Sequence, residues 1–167
     1  MVTLNLERIN QVSPYIIRPT NDALKYQFVT DYMVAYEIGF VPDELLICAE
    51  SYQFIIINTN NRKSPRDPKI RETVFAFVYE FFRQQDVVLL YLCETSDNKQ
   101  HPRQRLFESW VSIAQLKYPI AKLTIGMEDA EGVMNYAALI FRSDNPHAAE
   151  ISVEFTRTVQ LLSEKPE

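Results

Sequence analysis

Apolar positions along the chain change their period several times, and each change marks an element. From Lys25 to Thr30 they alternate, with Tyr26, Phe28 and Thr30 set against Lys25, Gln27 and Val29. Met33 to Phe40 has similar character, and a short turn at Asp31-Tyr32 joins the two into a hairpin. Pro42-Asp43 is expected to open a turn. A third strand is predicted from Ser51 to Asn58, with Phe54, Ile55, Ile56 and Ile57 as its core. The polar segment Thr59 to Arg66 reads as a loop. Two helix starts compete after it, Ser64 capping with Pro65 at the first position, or Asp67 capping with Pro68 there. The helix is expected to reach Arg83. Ile70, Val74, Phe77, Val78 and Phe81 form one stripe, which Phe75, Tyr79 and Phe82 widen.

Val87 to Leu92 is a continuous apolar run, the pattern of a buried strand, and the strand is predicted to end at Glu94. A polar turn, Glu94 to Asn98, leads into a helix ending near Tyr118. Leu106, Phe107, Trp110, Ile113 and Ala114 share one face of it, and Pro119 stops it. Ala121 to Met127 and Val133 to Arg142 flank the acidic segment Glu128 to Gly132 as a second hairpin. Asp144-Asn145-Pro146 starts a last helix with Ile151, Phe155, Val159 and Leu162 as its stripe, and the tail from Ser163 is expected to fray. Residues 1–24 leave two readings open. Leu4, Leu6 and Ile9 suit a short helix or an edge strand, while Pro14 and Pro19 break any long element. The order β-β-β-α-β-α-β-β-α implies a single α+β domain over residues 1–167, with helices packed on a mixed, largely antiparallel sheet.

Composition narrows the function classes. A net charge of −5 argues against nucleic acid as a partner, although it leaves room for a local basic patch. The 2 cysteines, Cys48 and Cys93, form no CxxC pair and read as packed small hydrophobes; with 2 histidines no zinc cluster is expected. The start MVTLNLERINQV has no cationic leader, and no apolar run is long enough to span a bilayer, so a cytoplasmic location is expected.

Candidate chemistry concentrates in cations. Lys99, His101, Arg103 and Arg105 occupy the first turns of the second helix, where the backbone dipole favours anions. Arg103 shares the face of Leu106 and Trp110, so it points inward, while Arg105 points away. An inward guanidinium needs an anionic partner. One reading pairs it internally with Glu94, Asp97, Glu72 or Glu80. The other makes Lys99, His101 and Arg103 an anion site. Arg62, Lys63, Arg66, Lys69 and Arg71 form a second basic cluster. With Tyr26, Tyr52 and Phe54 it has the ingredients of a nucleic-acid platform, yet the acidic total favours a solvated loop and helix face. Both clusters follow adjacent central strands, where open sheets place ligands. Asp97-Asn98-Lys99 superficially matches the Asp-x-Lys of metal-dependent nucleases, with Glu94 or Asp43 as second acid, but it falls in a turn, and no metal is assigned. Cys93 near His101 reads as structural.

Two runs, YQFIII…KSPRDPKIRETV (Tyr52 to Val74) and LLYLCETSDNKQHPRQRLFESW (Leu89 to Trp110), with the ending FTRTVQLLSEKPE, resemble a family of small uncharacterised bacterial proteins with a domain of unknown function. The resemblance runs from about Lys25 onward and implies no activity. The order of strands and helices is also similar to that of acyl-CoA-dependent N-acetyltransferases. That resemblance implies a pyrophosphate-binding helix start at Arg62 to Lys69, a stretch with Pro65 and Pro68 and no glycine. The expected function is a cytoplasmic, non-catalytic binding or interaction protein, with no metal or cofactor assigned. Its site is a basic edge of Arg62, Lys63, Arg66, Lys99, His101 and Arg103, with Asp97 orienting Arg103 or capping the helix. The partner is an anionic small molecule or an acidic protein surface. The alternatives are a diverged acyltransferase, which needs free amides near Arg66 to Lys69, and a structural homodimer subunit, which needs a wide exposed apolar face.

Overall fold

The structure, a computed structural model, describes residues 2–93, 108–128, 131–132 and 134–163. It is a mixed α+β fold. Among the described residues seven strands form one sheet in the order β1-β2-β3-β4-β5-β7-β6. They are β1 (Arg18–Pro19), β2 (Lys25–Val29), β3 (Ala35–Asp43), β4 (Glu50–Asn58), β5 (Val87–Cys93), β6 (Ile120–Glu128) and β7 (Met134–Arg142). The helices are α1 (Leu6–Val12), α2 (Pro68–Phe81), α3 (described over residues 108–114) and α4 (Ala148–Ser163). Among the described residues no helix is long and apolar enough to cross a membrane. The chain divides into two compact units.

The first unit comprises Met1–Val41 and Phe54–Gln84. Of the two readings left open for Leu4, Leu6 and Ile9, the helix is the one observed, and the edge strand of this segment lies farther on, at residues for which no strand was expected. Leu6–Val12 is a helix capped by the Asn5 side chain, which accepts the Arg8 N–H at 2.9 Å. Arg18–Pro19 is a two-residue strand at the sheet edge, where proline's missing donor does no harm. The Arg8 guanidinium ties the α1 segment to α2 through two hydrogen bonds to Glu80, at 2.9 and 2.8 Å, and Glu80 is only 5% exposed. The β2–β3 hairpin is antiparallel, as the alternation predicted. Phe40 stacks on Phe77 and Phe81 of α2, with ring centres 4.9 and 4.3 Å apart, and the edge of Tyr26 meets Phe77.

Two strand expectations are corrected. Pro42 and Asp43 do not open the turn; β3 continues through them. The run Phe54 to Ile57 is not the buried centre of β4. Burial peaks at Ser51 and Tyr52, while Ile57 is half exposed. Burial follows the strand's parallel pairing with β5, which joins Glu50–Gln53 to Val87–Leu90. An apolar run shows that a segment can be buried, not where along it the cover falls.

The second unit comprises Pro42–Gln53 and Gln85–Glu167. Within the apolar run of β5, Val87, Val88, Leu89 and Leu90 are buried as expected, each at most 2% exposed. On its other edge β5 pairs with β7 antiparallel, and β7 pairs with β6 as the predicted hairpin. Ile151, Phe155 and Val159 of α4 pack with Leu46, Leu139 and Phe141. On α3 the deepest side chains are Val111 and Ala114.

Candidate functional site

The loop between β4 and α2 is fixed from both ends. At its start the asparagines do the work. Asn58 donates from its side chain to the carbonyl of Arg62 at 2.7 Å and accepts the N–H of Asn60 at 3.2 Å. Asn60 reaches back to the β2–β3 turn. Its amide donates to the Met33 carbonyl at 2.9 Å and accepts the Ala35 N–H at 3.3 Å. Asn61 adopts φ 57°, a left-handed conformation that asparagine tolerates.

At the loop's end Asp67 is the helix cap, and Pro68 fills the first helical position. This resolves the two competing starts in favour of Asp67. Its carboxylate accepts the Lys69 N–H at 3.0 Å and a hydrogen bond from the hydroxyl of Tyr15. The Ile70 N–H goes to the Asp67 carbonyl at 3.1 Å. Pro65 and Pro68 have no N–H. Of the stretch expected to cradle a pyrophosphate, the Lys69 N–H is thus taken up by Asp67, as is the Ile70 N–H that follows it.

Arg62, Lys63 and Arg66 stand on this loop with exposed side chains, and among the described residues none of them has an ion-pair partner. The other members of the predicted cluster differ. Lys69 pairs with Asp31 at 2.7 Å, a contact that raises its pKa, and Arg71 lies 3.5 Å from Glu72. Asp97, Lys99, His101 and Arg103 lie outside the described residues, as do Glu94, Arg105, Leu106 and Phe107. Of the internal partners considered for Arg103, Glu80 is already held by Arg8, with Arg83 at 3.9 Å as a second cation.

Sequence reading overlooked Asn58, Asn60 and Tyr15. The signal for the asparagines was present in Asn58-Thr59-Asn60-Asn61, since asparagine side chains bond the backbone a few residues on. No local signal marks Tyr15, whose partner is 52 residues away.

Cys48, read as an inert small hydrophobe, is half-buried and has a polar neighbour. Burial first, and then hydrogen bonding to Glu154, push its thiol up to about 11. Glu154 in turn is held below the usual carboxylate range by the Cys48 side chain and by the N–H groups of Ile47 and Cys48. A thiol so protonated at neutral pH is a poor nucleophile. Among the described residues no group of His, Cys, Asp and Glu side chains is placed to hold a metal ion.

A family model described as "Family of unknown function (DUF6169)" matches residues 66–157. Arg66 falls within the matched segment, whereas Arg62 and Lys63 precede it. No curated protein and no solved structure matches the chain.

Proposed function

The chain belongs to the DUF6169 family, and on that premise we propose that it is a cytoplasmic, non-catalytic interaction protein whose basic loop, residues 59–67, receives an acidic surface of a partner protein. One observation carries this reading. Arg62, Lys63 and Arg66 hold three positive charges on a backbone fixed at both ends, in a chain of net charge −5 that places none of its described carboxylates against them. Unpaired charges on a fixed loop cost little further ordering on binding and steer an oppositely charged partner. All three side chains are exposed, whereas a small-molecule site encloses most of its ligand, so an extended acidic surface fits them better than a small anion. Lys99, His101 and Arg103, with Asp97, belong to this reading on sequence grounds alone.

The acyltransferase alternative asks for free amides near Arg66 to Lys69, and the Lys69 and Ile70 N–H groups already have acceptors. The test uses a fluorescent Glu-rich peptide, followed by anisotropy at low ionic strength. Wild-type protein is expected to bind it, and Arg62→Glu/Lys63→Glu/Arg66→Glu to bind at least about tenfold more weakly, because three attractive charges become repulsive. Added salt should erase the difference. No binding by the wild type, or equal binding by the variant, refutes the reading. A melting temperature raised by acetyl-CoA but not by the peptide would favour the acyltransferase instead.

A further inference from the structure

Helix α4 has two apolar faces. The inner one, Ile151, Phe155 and Val159, is buried in the core of the second unit. The outer one is not: Val153 is 59% and Leu161 66% exposed. These two, with Arg157 midway between them, follow the four-residue spacing of one helix side. Ile47 stands beside them, 95% exposed, and lines with them a groove of about 740 Å³. Ile47 is not a loose loop tip. Its N–H and that of Cys48 are both bonded by the Glu154 carboxylate of α4, so the isoleucine is held out into solvent by the helix whose groove it borders. Three large apolar side chains gathered at one groove form a patch, unlike the scattered single hydrophobes of ordinary surfaces.

The charges of this face say what covers it. Glu150 and Arg157 are both exposed on the same stretch of α4, seven residues apart. Seven residues is about two turns, or about 10 Å along the axis. When two such helices pack antiparallel about a twofold axis, Glu150 of each copy lies opposite Arg157 of the other, forming two ion pairs. The same symmetry offers the projecting Ile47 of each copy to the groove of the other. The face carries both the knob and the hole, and both signs of charge, in one self-matching arrangement.

From this arrangement we infer that the outer face of α4, together with Ile47, is a self-complementary surface that joins two copies of this chain antiparallel about a twofold axis. The surface shares no residue with the basic loop, so neither reading depends on the other.

Light scattering over a protein concentration series tests it. The wild type is expected to reach twice the 19.5 kDa chain mass. Ile47→Glu and Val153→Glu, both at exposed positions, are expected to stay at the single-chain mass with an unchanged far-ultraviolet circular dichroism spectrum. Glu150→Arg alone and Arg157→Glu alone should each dissociate the pair by placing like charges opposite one another, and Glu150→Arg/Arg157→Glu should restore it. A wild type that remains a monomer at every concentration overturns the inference. So does a dimer that survives both apolar substitutions, or a double charge swap that fails to reassociate.

Discussion

The phenol of Tyr15 donates to Asp67 and accepts the N–H of Asp31 at 3.3 Å, and the Lys69 ammonium lies 5.5 Å from its ring centre. Lys69 also bonds Asp31, closing a ring of contacts among the N-terminal segment, the β2–β3 turn and the start of α2. The Lys69–Asp31 pair is exposed on both sides and adds little. The Tyr15 hydroxyl is the stronger link, because its acceptor is charged and the residue is only 5% exposed. Tyr15→Phe should therefore cost about 1–2 kcal/mol at neutral pH, read from the urea midpoint. It should also alter the alkaline behaviour. Burial first, and then the bond to Asp67, push the Tyr15 pKa up to about 12, against about 10 in an unfolded chain. The folded state thus favours the protonated phenol. Its contribution is whole below pH 10 and is lost between about 10 and about 12. The variant should lack that loss, and an identical alkaline decline in both proteins would show that the phenol is not its source.

At the scale of elements, the hairpin β2–β3 shows what patterning can specify and where it stops. Alternation placed both strands and their turn, because side chains on opposite faces of a pleated strand meet core and solvent in turn. It could not show why glycine stands at position 39. Gly39 lies opposite Lys25, and a methyl group built there would sit 2.5 Å from the carbonyl oxygen of Leu24 and 3.1 Å from the Lys25 Cα. Both are backbone atoms that cannot rotate away. Gly39→Ala should accordingly cost about 1–3 kcal/mol, the range for overpacked sites. Hydrogen exchange should quicken at the amides of Lys25–Val29 while those of β6 and β7 keep their protection. Uniform change, or none, would show that the backbones separate without cost. Helix α2 was readable in the same way as the hairpin, through its stripe, although the structure had to choose Asp67-Pro68 over Ser64-Pro65 as its start. The short α1 was not, since seven residues hold too few turns to impose a period.

For the whole molecule, contacts both local and distant in the chain shape the pH range of stability. Glu154 is held low by the Cys48 side chain and by two amides, and Asp144 by the Arg142 guanidinium, which it meets at 2.9 and 2.8 Å. A carboxyl with a depressed folded value adds stability above the unfolded value of about 4, and that stability is lost as pH falls through the lower folded value. Cys48 works in the opposite sense. Its thiol, pushed up to about 11, adds stability below about 8.5 that fades as pH rises. Resistance to urea should therefore be greatest between about pH 5 and 8 and decline on either side. Glu154→Gln should flatten the acid limb, because the amide cannot titrate. A variant whose acid limb is as steep as that of the wild type would remove Glu154 as a cause. Of the proposed binding loop, the sequence showed the cations and the polar composition. That none of the described carboxylates lies against them became visible only once Lys69 had met Asp31, and Arg8 had met Glu80 across 72 residues of chain.

Most of the strands, the longer helices and the mixed α+β class could be read from the chain alone, because period, caps and breakers act within a few residues; the short α1 and the edge strand β1 could not. The tertiary structure decided which strand lies beside which, setting β7 rather than β6 against β5. It also decided which charges neutralise one another and which apolar face of α4 stays uncovered. Those outcomes depend on pairings between distant segments. A burial pattern tells a side chain to seek cover, but only the assembled sheet and helices determine what is there to cover it.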